Sequence, residues 1–147
     1  MTVRQATIAD LDTLVPLFDA YRQFYGQPSN PAAARTFLKD RLEHQQSVIL
    51  LARKDGRDVG FAQLYPSFSS VRLSRTFILN DLFVTPDARA SGFGRILLDA
   101  ACTYGRQIGA ARLSLSTAAD NAKAQSLYER AGWTRDTEFY AYDFALT

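Results

Sequence analysis

The sequence predicts an α+β fold, an antiparallel meander joined to a strand–helix–strand unit, on three observations. Apolar runs at 47–52 and 59–65 flank Lys54-Asp55-Gly56-Arg57, the chemistry of a tight hairpin. From Phe77 to Ala101 a strand-like run passes through a small loop holding Arg89, Gly92 and Gly94, then opens into a segment with apolar residues at helical spacing. Leu113 and Leu115 alternate with Ser114 and Ser116, so a strand follows that helix. Strand, helix and strand in succession require a right-handed parallel crossover.

The elements follow in order. Val3 to Ala6 reads as a short edge strand, and Thr7-Ile8-Ala9-Asp10 as a helix start of the Thr-x-x-acid kind. Leu11, Leu14, Val15, Phe18, Tyr21 and Tyr25 form the apolar stripe of a first helix, which Pro16 is expected to kink or break. Pro31 suits the first position of a second helix capped by Ser29 or Asn30, with Phe37, Leu38 and Leu42 on its apolar face and His44, a surface residue, at its end. Pro66 to Ser74, with Ser67, Ser69, Ser70 and Ser74, reads as a polar loop before a strand from Arg75 to Val84. Leu97, Ala100, Ala101, Tyr104 and Ile108 mark a third helix that Gly109 can end. A strand from Ala111 to Thr117 precedes a fourth helix, capped by Asp120, carrying Ala124, Leu127 and Ala131, and stopped at Gly132. Trp133 to Phe144 supplies one or two last strands. The sum is a mixed, mostly antiparallel sheet of six to seven strands with about four helices.

Composition narrows the class. A chain of 147 residues is about one domain by length, and no linker or repeat interrupts it, so a single domain over 1–147 is expected. A net charge of +2, with Lys and Arg scattered along the chain, argues against nucleic-acid binding. No run of 18 apolar residues argues for a membrane span, and the amino terminus lacks the apolar core of a signal peptide, so a cytoplasmic protein is expected. Cys102 is the one cysteine and cannot form an internal disulfide. No His, Cys and carboxylate cluster has ligand spacing, so no metal is expected. The seven Tyr and ten Phe suit a core, a lined pocket or a dimer interface.

Chemistry concentrates at the central loop. The first N–H groups of a helix have no intrahelical acceptor, the helix dipole adds positive charge there, and glycines admit a ligand close to the main chain, so the loop should hold a phosphate-bearing ligand. It is not a Walker loop, which ends in Gly-Lys-Ser/Thr, nor a dinucleotide fingerprint, since Leu97 stands where the third glycine belongs. What is present is Arg-x-x-Gly-x-Gly at a helix start, preceded by Leu-x-Val-x-Pro.

That combination resembles motif A of the GCN5-related N-acetyltransferases (GNAT), which transfer an acetyl group from acetyl-CoA to an amine. Downstream, Thr117-Ala118-Ala119-Asp120-Asn121 and Ala124-Gln125-Ser126-Leu127-Tyr128-Glu129-Arg130-Ala131-Gly132-Trp133 are similar to motif B of the same superfamily. The resemblance covers nearly the whole chain. Within it, residues 79–84 and 65–70 look most like small bacterial members and the fungal histone, polyamine and D-amino-acid acetyltransferase branch.

The resemblance implies a role for each element. The segment Arg89, Ala90, Ser91, Gly92, Phe93, Gly94 and Arg95 would hold the pyrophosphate of CoA through N–H groups and arginine charge. Main-chain groups of Leu82, Phe83 and Val84 would pair with the pantetheine arm, left open by a strand that bulges and splays from its parallel neighbour. Asn121 would touch the cofactor and Tyr128 would protonate the departing thiolate; their spacing of seven residues puts them about 10.5 Å apart along a helix. A phenol of unperturbed pKa near ~10 stays protonated at neutral pH and can donate to a thiolate, although Tyr128 can equally pack in a core. The general base stays open. Asn80 stands where many relatives carry an acid; Asp81 is the nearest substitute, as base, strand anchor or ammonium contact, and a base-free transfer relying on proximity and bulge N–H groups is an alternative.

Relatives build the acceptor site near Tyr21, Phe24 and Tyr25, the Tyr65 to Ser70 segment and Glu138 to Tyr142. An aromatic, partly acidic pocket with Tyr25, Tyr65 and Asp81 as contacts is therefore expected, although these aromatics also suit a homodimer interface. The implied activity is direct acyl transfer in a ternary complex, from acetyl-CoA or a longer acyl-CoA, to a small-molecule amine or a peptide or protein lysine. The alternative is a non-catalytic CoA-binding sensor or interaction module.

Overall fold

The computed structural model describes residues Met1–Thr147, and their contacts fall into two units, Met1–Ser116 and Thr117–Thr147.

In the first unit, β1 (Thr2–Gln5), β2 (Val48–Lys54), β3 (Arg57–Ser69), β4 (Ser74–Val84) and β5 (Arg112–Ser114) form one sheet in that order. Every neighbouring pair is antiparallel except β4 and β5, which are parallel. The β2–β3 hairpin turns through Asp55 and Gly56, with φ of +50° and +75°, the left-handed pair that an Asp-Gly turn supplies. Thr7 and Asp10 form a reciprocal capping box on a short 3-10 turn that leads into α1 (Leu11–Phe24). α2 (Pro31–Glu43) is capped by Asn30, whose side chain accepts from Ala33 N at 3.1 Å. α3 (Phe93–Gln107) follows β4 and returns the chain to β5.

Helices cover both faces of the sheet, which is why β2 is apolar at every position from Val48 to Ala52. On one face Leu14, Val15, Phe18 and Leu38 of α1 and α2 pack with Ile49, Leu51, Phe61 and Phe83. On the other, Phe77 meets Tyr104 of α3 edge-on at 5.7 Å. Each fully buried Leu or Phe stabilises the fold by about 1.5–3 kcal/mol.

Several expectations need correction. α1 runs unbroken through Pro16; it costs one helical hydrogen bond, and the buried Leu14, Val15, Leu17 and Phe18 around it offset that loss. The expected polar loop 66–74 is mostly hairpin: Pro66, Ser67, Phe68 and Ser69 pair with Phe77, Thr76, Arg75 and Ser74. Pro66 is tolerated there because β2 pairs with β3 only as far as Leu64. β5 spans three residues, where seven were expected.

In the second unit Asn121, not Asp120, caps α4 (Ala122–Arg130), accepting from Ala124 N at 3.1 Å. Gly132 follows with φ of +94°. The one or two strands expected over 133–144 do not form, so the sheet has five strands instead of six to seven. The aromatic residues Phe139, Tyr140, Tyr142 and Phe144 favour extended backbone, but a strand exists only with a ladder partner, and these residues are exposed and have none in the chain.

At Gly60 of β3 the neighbouring strand leaves no room for a Cβ. A Cβ there would lie 2.7 Å from the Phe83 carbonyl oxygen and 3.3 Å from Val84. Gly60→Ala is therefore expected to destabilise the fold by about 1–3 kcal/mol. Thermal unfolding followed by circular dichroism checks this, and an unchanged midpoint would contradict it.

Candidate active site

The site is set by a register shift. Along β3, Gln63 and Leu64 are consecutive, but their partners on β4 are Asp81 and Leu79, so Asn80 is an extra residue. Consecutive strand residues face opposite sides, and cross-strand partners share a side. The bulge therefore puts Asp81 and Phe83 on the α1–α2 face while Phe77 and Leu79 point to the α3 face. The ring contacts agree, since Phe83 lies 6.2 Å from Tyr21 of α1, edge-on, and Phe77 lies against α3.

Asp81 is thereby aimed into a cavity of about 400 Å³ in the first unit, lined by Phe18, Tyr21 and Arg22 from α1, Ala33, Ala34 and Phe37 from α2, Tyr65 from β3, and Asn80 and Asp81. Asp81 is 2% exposed. Gln63 donates to Oδ2, Asn80 Nδ2 donates to Oδ1 at 2.8 Å, and Ser47 Oγ donates to Gln63 Oε1 at 2.7 Å behind it. Burial pushes the Asp81 carboxyl above the usual carboxylate range, while the donors Gln63, Asn80 and Tyr21 pull it part of the way back. The phenols beside it are harder to ionise. Tyr21 is raised by burial and then by the Asp81 charge, and Tyr65 is pushed up to about 12 for the same reasons, with Arg41 acting the other way. Both stay protonated at neutral pH, and the Tyr21 hydroxyl donates to the Asn80 carbonyl oxygen at 3.4 Å, beside the carboxylate. Such a group can take a proton from an amine held in the cavity.

The opposite edge of β4 is open. Its ladder with β5 ends at Ile78 and Ser114, so Leu79 to Val84 have a strand neighbour on one side only. Beyond Val84 the loop reaches α3 through Ala90 and Gly92, with φ of +60° and +84°. The first helical bond runs from Ile96 N to Gly92 O at 3.1 Å, so the N–H groups of Phe93, Gly94 and Arg95 precede it. No side chain caps this helix end, and nothing lies within 4 Å of where a Gly92 Cβ would stand. Open space in front of uncapped N–H groups, with arginines on either side, fits a pyrophosphate.

The expected residues divide accordingly. Leu82, Phe83, Val84 and the segment from Arg89 to Arg95 lie together at the end of β4 and the start of α3. Arg89 is not simply solvated: its Nε donates to Val84 O at 2.9 Å and its guanidinium lies over the rings of Phe24 and Phe83. Arg95 pairs with Asp99 one turn on. Tyr65 and Asp81 line the cavity; Tyr25 does not, and instead lies exposed against Tyr21 at 5.1 Å. Asn121 and Tyr128 belong to the second unit. The Asn121 oxygen is used in capping α4, and the half-buried Tyr128 ring is 6.4 Å from Trp133. Exposed His44 ends α2, with Nδ1 2.8 Å from Asp40 O. No group of three His, Cys, Asp or Glu is placed to hold a metal ion. Sequence reasoning missed Arg22, Gln63 and Ser47; a glutamine amid the apolar residues of β3 was the available signal.

Comparison with known proteins agrees with this geometry. Residues 14–133 match the acetyltransferase (GNAT) family model, and the chain belongs to that family. Its relatives include the uncharacterised N-acetyltransferase YhfO of Bacillus subtilis, 51% identical over 97% of this chain and 95% of the other. A probable acetyltransferase of Haemophilus influenzae is 38% identical over 54% and 56% of the two chains. A crystal structure described as a probable acetyltransferase superposes with a TM-score of 0.95 at 45% identity, covering 100% of this chain and 99% of that one. The chain is thus an acetyltransferase of mixed α+β fold, and no helix in it is long and apolar enough to cross a membrane.

If Asp81 accepts the amine proton, activity is present when it is ionised and is lost as pH falls through its raised pKa, above the ordinary ~3.9. Asp81→Asn should lower kcat by about 10²–10⁴-fold and remove this acid limb. A pH profile of kcat checks both, and an Asn variant with the wild-type limb would rule the role out.

Proposed function

We propose that residues 1–147 act as one acetyl-CoA-dependent N-acetyltransferase domain, transferring to a primary amine of a small molecule or peptide by direct transfer in a ternary complex. The observation that carries this is the bulged strand β4, which aims a buried carboxylate into an aromatic cavity while its other edge stays unpaired beside the uncapped start of α3. The match over 14–133 crosses the boundary between the two units, which supports treating them as one functional domain.

In this reading the N–H groups from Ala90 to Arg95, with Arg89 and Arg95, hold the pyrophosphate, the free edge from Leu82 to Val84 pairs with the pantetheine arm, and the Asn121 amide nitrogen adds a contact. Acetyl-CoA bound there supplies an activated acetyl group. Asp81 takes the proton from the acceptor nitrogen as its C–N bond forms, Tyr65 and Asp81 orient that nitrogen, and Tyr25 flanks the first helix end. Tyr128 gives its O–H proton to the sulfur as the C–S bond breaks. A non-catalytic CoA-binding module has no observation in its favour, since it needs no buried carboxylate in an aromatic cavity.

Release of free thiol from acetyl-CoA in the presence of an amine panel tests the activity. Amine-dependent release is expected; tight CoA binding without turnover on any amine would leave only the sensor reading. Tyr128→Phe should lower kcat by about 10²-fold or more with the KM for acetyl-CoA nearly unchanged. Full activity in that variant would remove Tyr128 from the mechanism.

A further inference from the structure

The cavity that holds Asp81 carries charge of both signs. Arg22, in the last turn of α1, lines the same cavity, and its Nη1 is shielded from solvent without a hydrogen-bond acceptor. Asp19 feels the Arg22 charge, but neither nearby carboxylate accepts a hydrogen bond from that nitrogen. Asp19, one turn earlier, accepts from Ser29 Oγ at 2.7 Å, Asn30 N at 2.8 Å and Gln23 Nε2 at 3.1 Å. Asp81 is taken up by Gln63 and Asn80. A second cation borders the cavity: the Arg41 guanidinium lies 4.6 Å over the Phe37 ring, and its Nε is likewise buried without an acceptor. A buried guanidinium N–H without an acceptor is costly, and a bound anion relieves that cost.

We infer that the acceptor is an amine that itself bears a carboxylate, as a free amino acid does, with its nitrogen at Asp81 and its carboxylate on Arg22. This rests on the acetyl-transfer reading above and specifies its acceptor. The rings of Phe18, Tyr21, Phe37 and Tyr65 then contact the rest of the molecule. A diamine would place its second cation against Arg22 and Arg41, and like-charge repulsion rejects it. A lysine within a peptide carries no carboxylate near its side-chain nitrogen to meet Arg22.

The test offers the full chain acetyl-CoA with free amino acids of both enantiomers, each beside its methyl ester and its decarboxylated amine, and follows thiol release. The free amino acids should exceed their esters and amines in kcat/KM by about tenfold to a hundredfold, the range for a charge-assisted hydrogen bond. Arg22→Gln should erase that preference by raising KM for the free acid while leaving the ester unchanged. Arg22→Lys, which keeps the charge, should restore part of it. Equal turnover of acids, esters and amines by the wild type overturns the inference but leaves acetyl transfer standing, as does an equal loss on acid and ester in Arg22→Gln. CoA binding with no thiol release on any member overturns both.

Discussion

One extra residue in β4 governs the rest of the site. Without the bulge at Asn80 the strand would keep a period of two, and Phe77, Leu79, Asp81 and Phe83 would all face α3, a carboxylate among apolar packing. With it, the apolar pair Phe77 and Leu79 stays on the α3 face while Asp81 and Phe83 turn toward α1 and α2. The ladder to β5 has already ended at Ile78, so the same few residues carry the inward carboxylate and the open edge. Bulges recur beside active sites because they re-aim a side chain in this way.

The turned carboxylate is tolerable because its oxygens are met. A buried charge is costly unless hydrogen-bonded; Gln63 and Asn80 each donate to one of its oxygens, and Ser47 donates in turn to Gln63. They compensate only partly, so the group stays easier to protonate than an exposed aspartate. That residual cost suits a group that must hold a proton transiently. Stability and chemistry pull in opposite directions at this residue, a known signature of functional sites.

The features readable from sequence were those fixed by local chemistry. The capping box at Thr7, the Asp-Gly hairpin, the glycine after α3 and the Arg-x-x-Gly-x-Gly helix start each depend on a few adjacent residues, and each stands where the sequence pattern puts it. Features fixed by a distant partner were not readable. The face of Asp81 depends on where β3 pairs, so periodicity alone assigned no bulge to Asn80, and only the family resemblance implied one in this strand. The serines of 66–74 suggested a loop because their pairing with β4 leaves no trace in composition. Arg22 escaped notice because it lies beside the apolar stripe of α1, and only the packed cavity shows that its nitrogen lacks an acceptor. One or two strands were expected over 133–144, yet residues that favour extended backbone state a preference and cannot supply the partner.

The bulge holds Asp81 as a buried carboxylate with raised proton affinity. Carboxyl 13C NMR of aspartate-labelled protein, with Asp81 assigned by its Asn variant, measures this directly as a titration. The expected midpoint for Asp81 lies clearly above the ordinary carboxylate value of ~3.9. A midpoint at or below that value would contradict it.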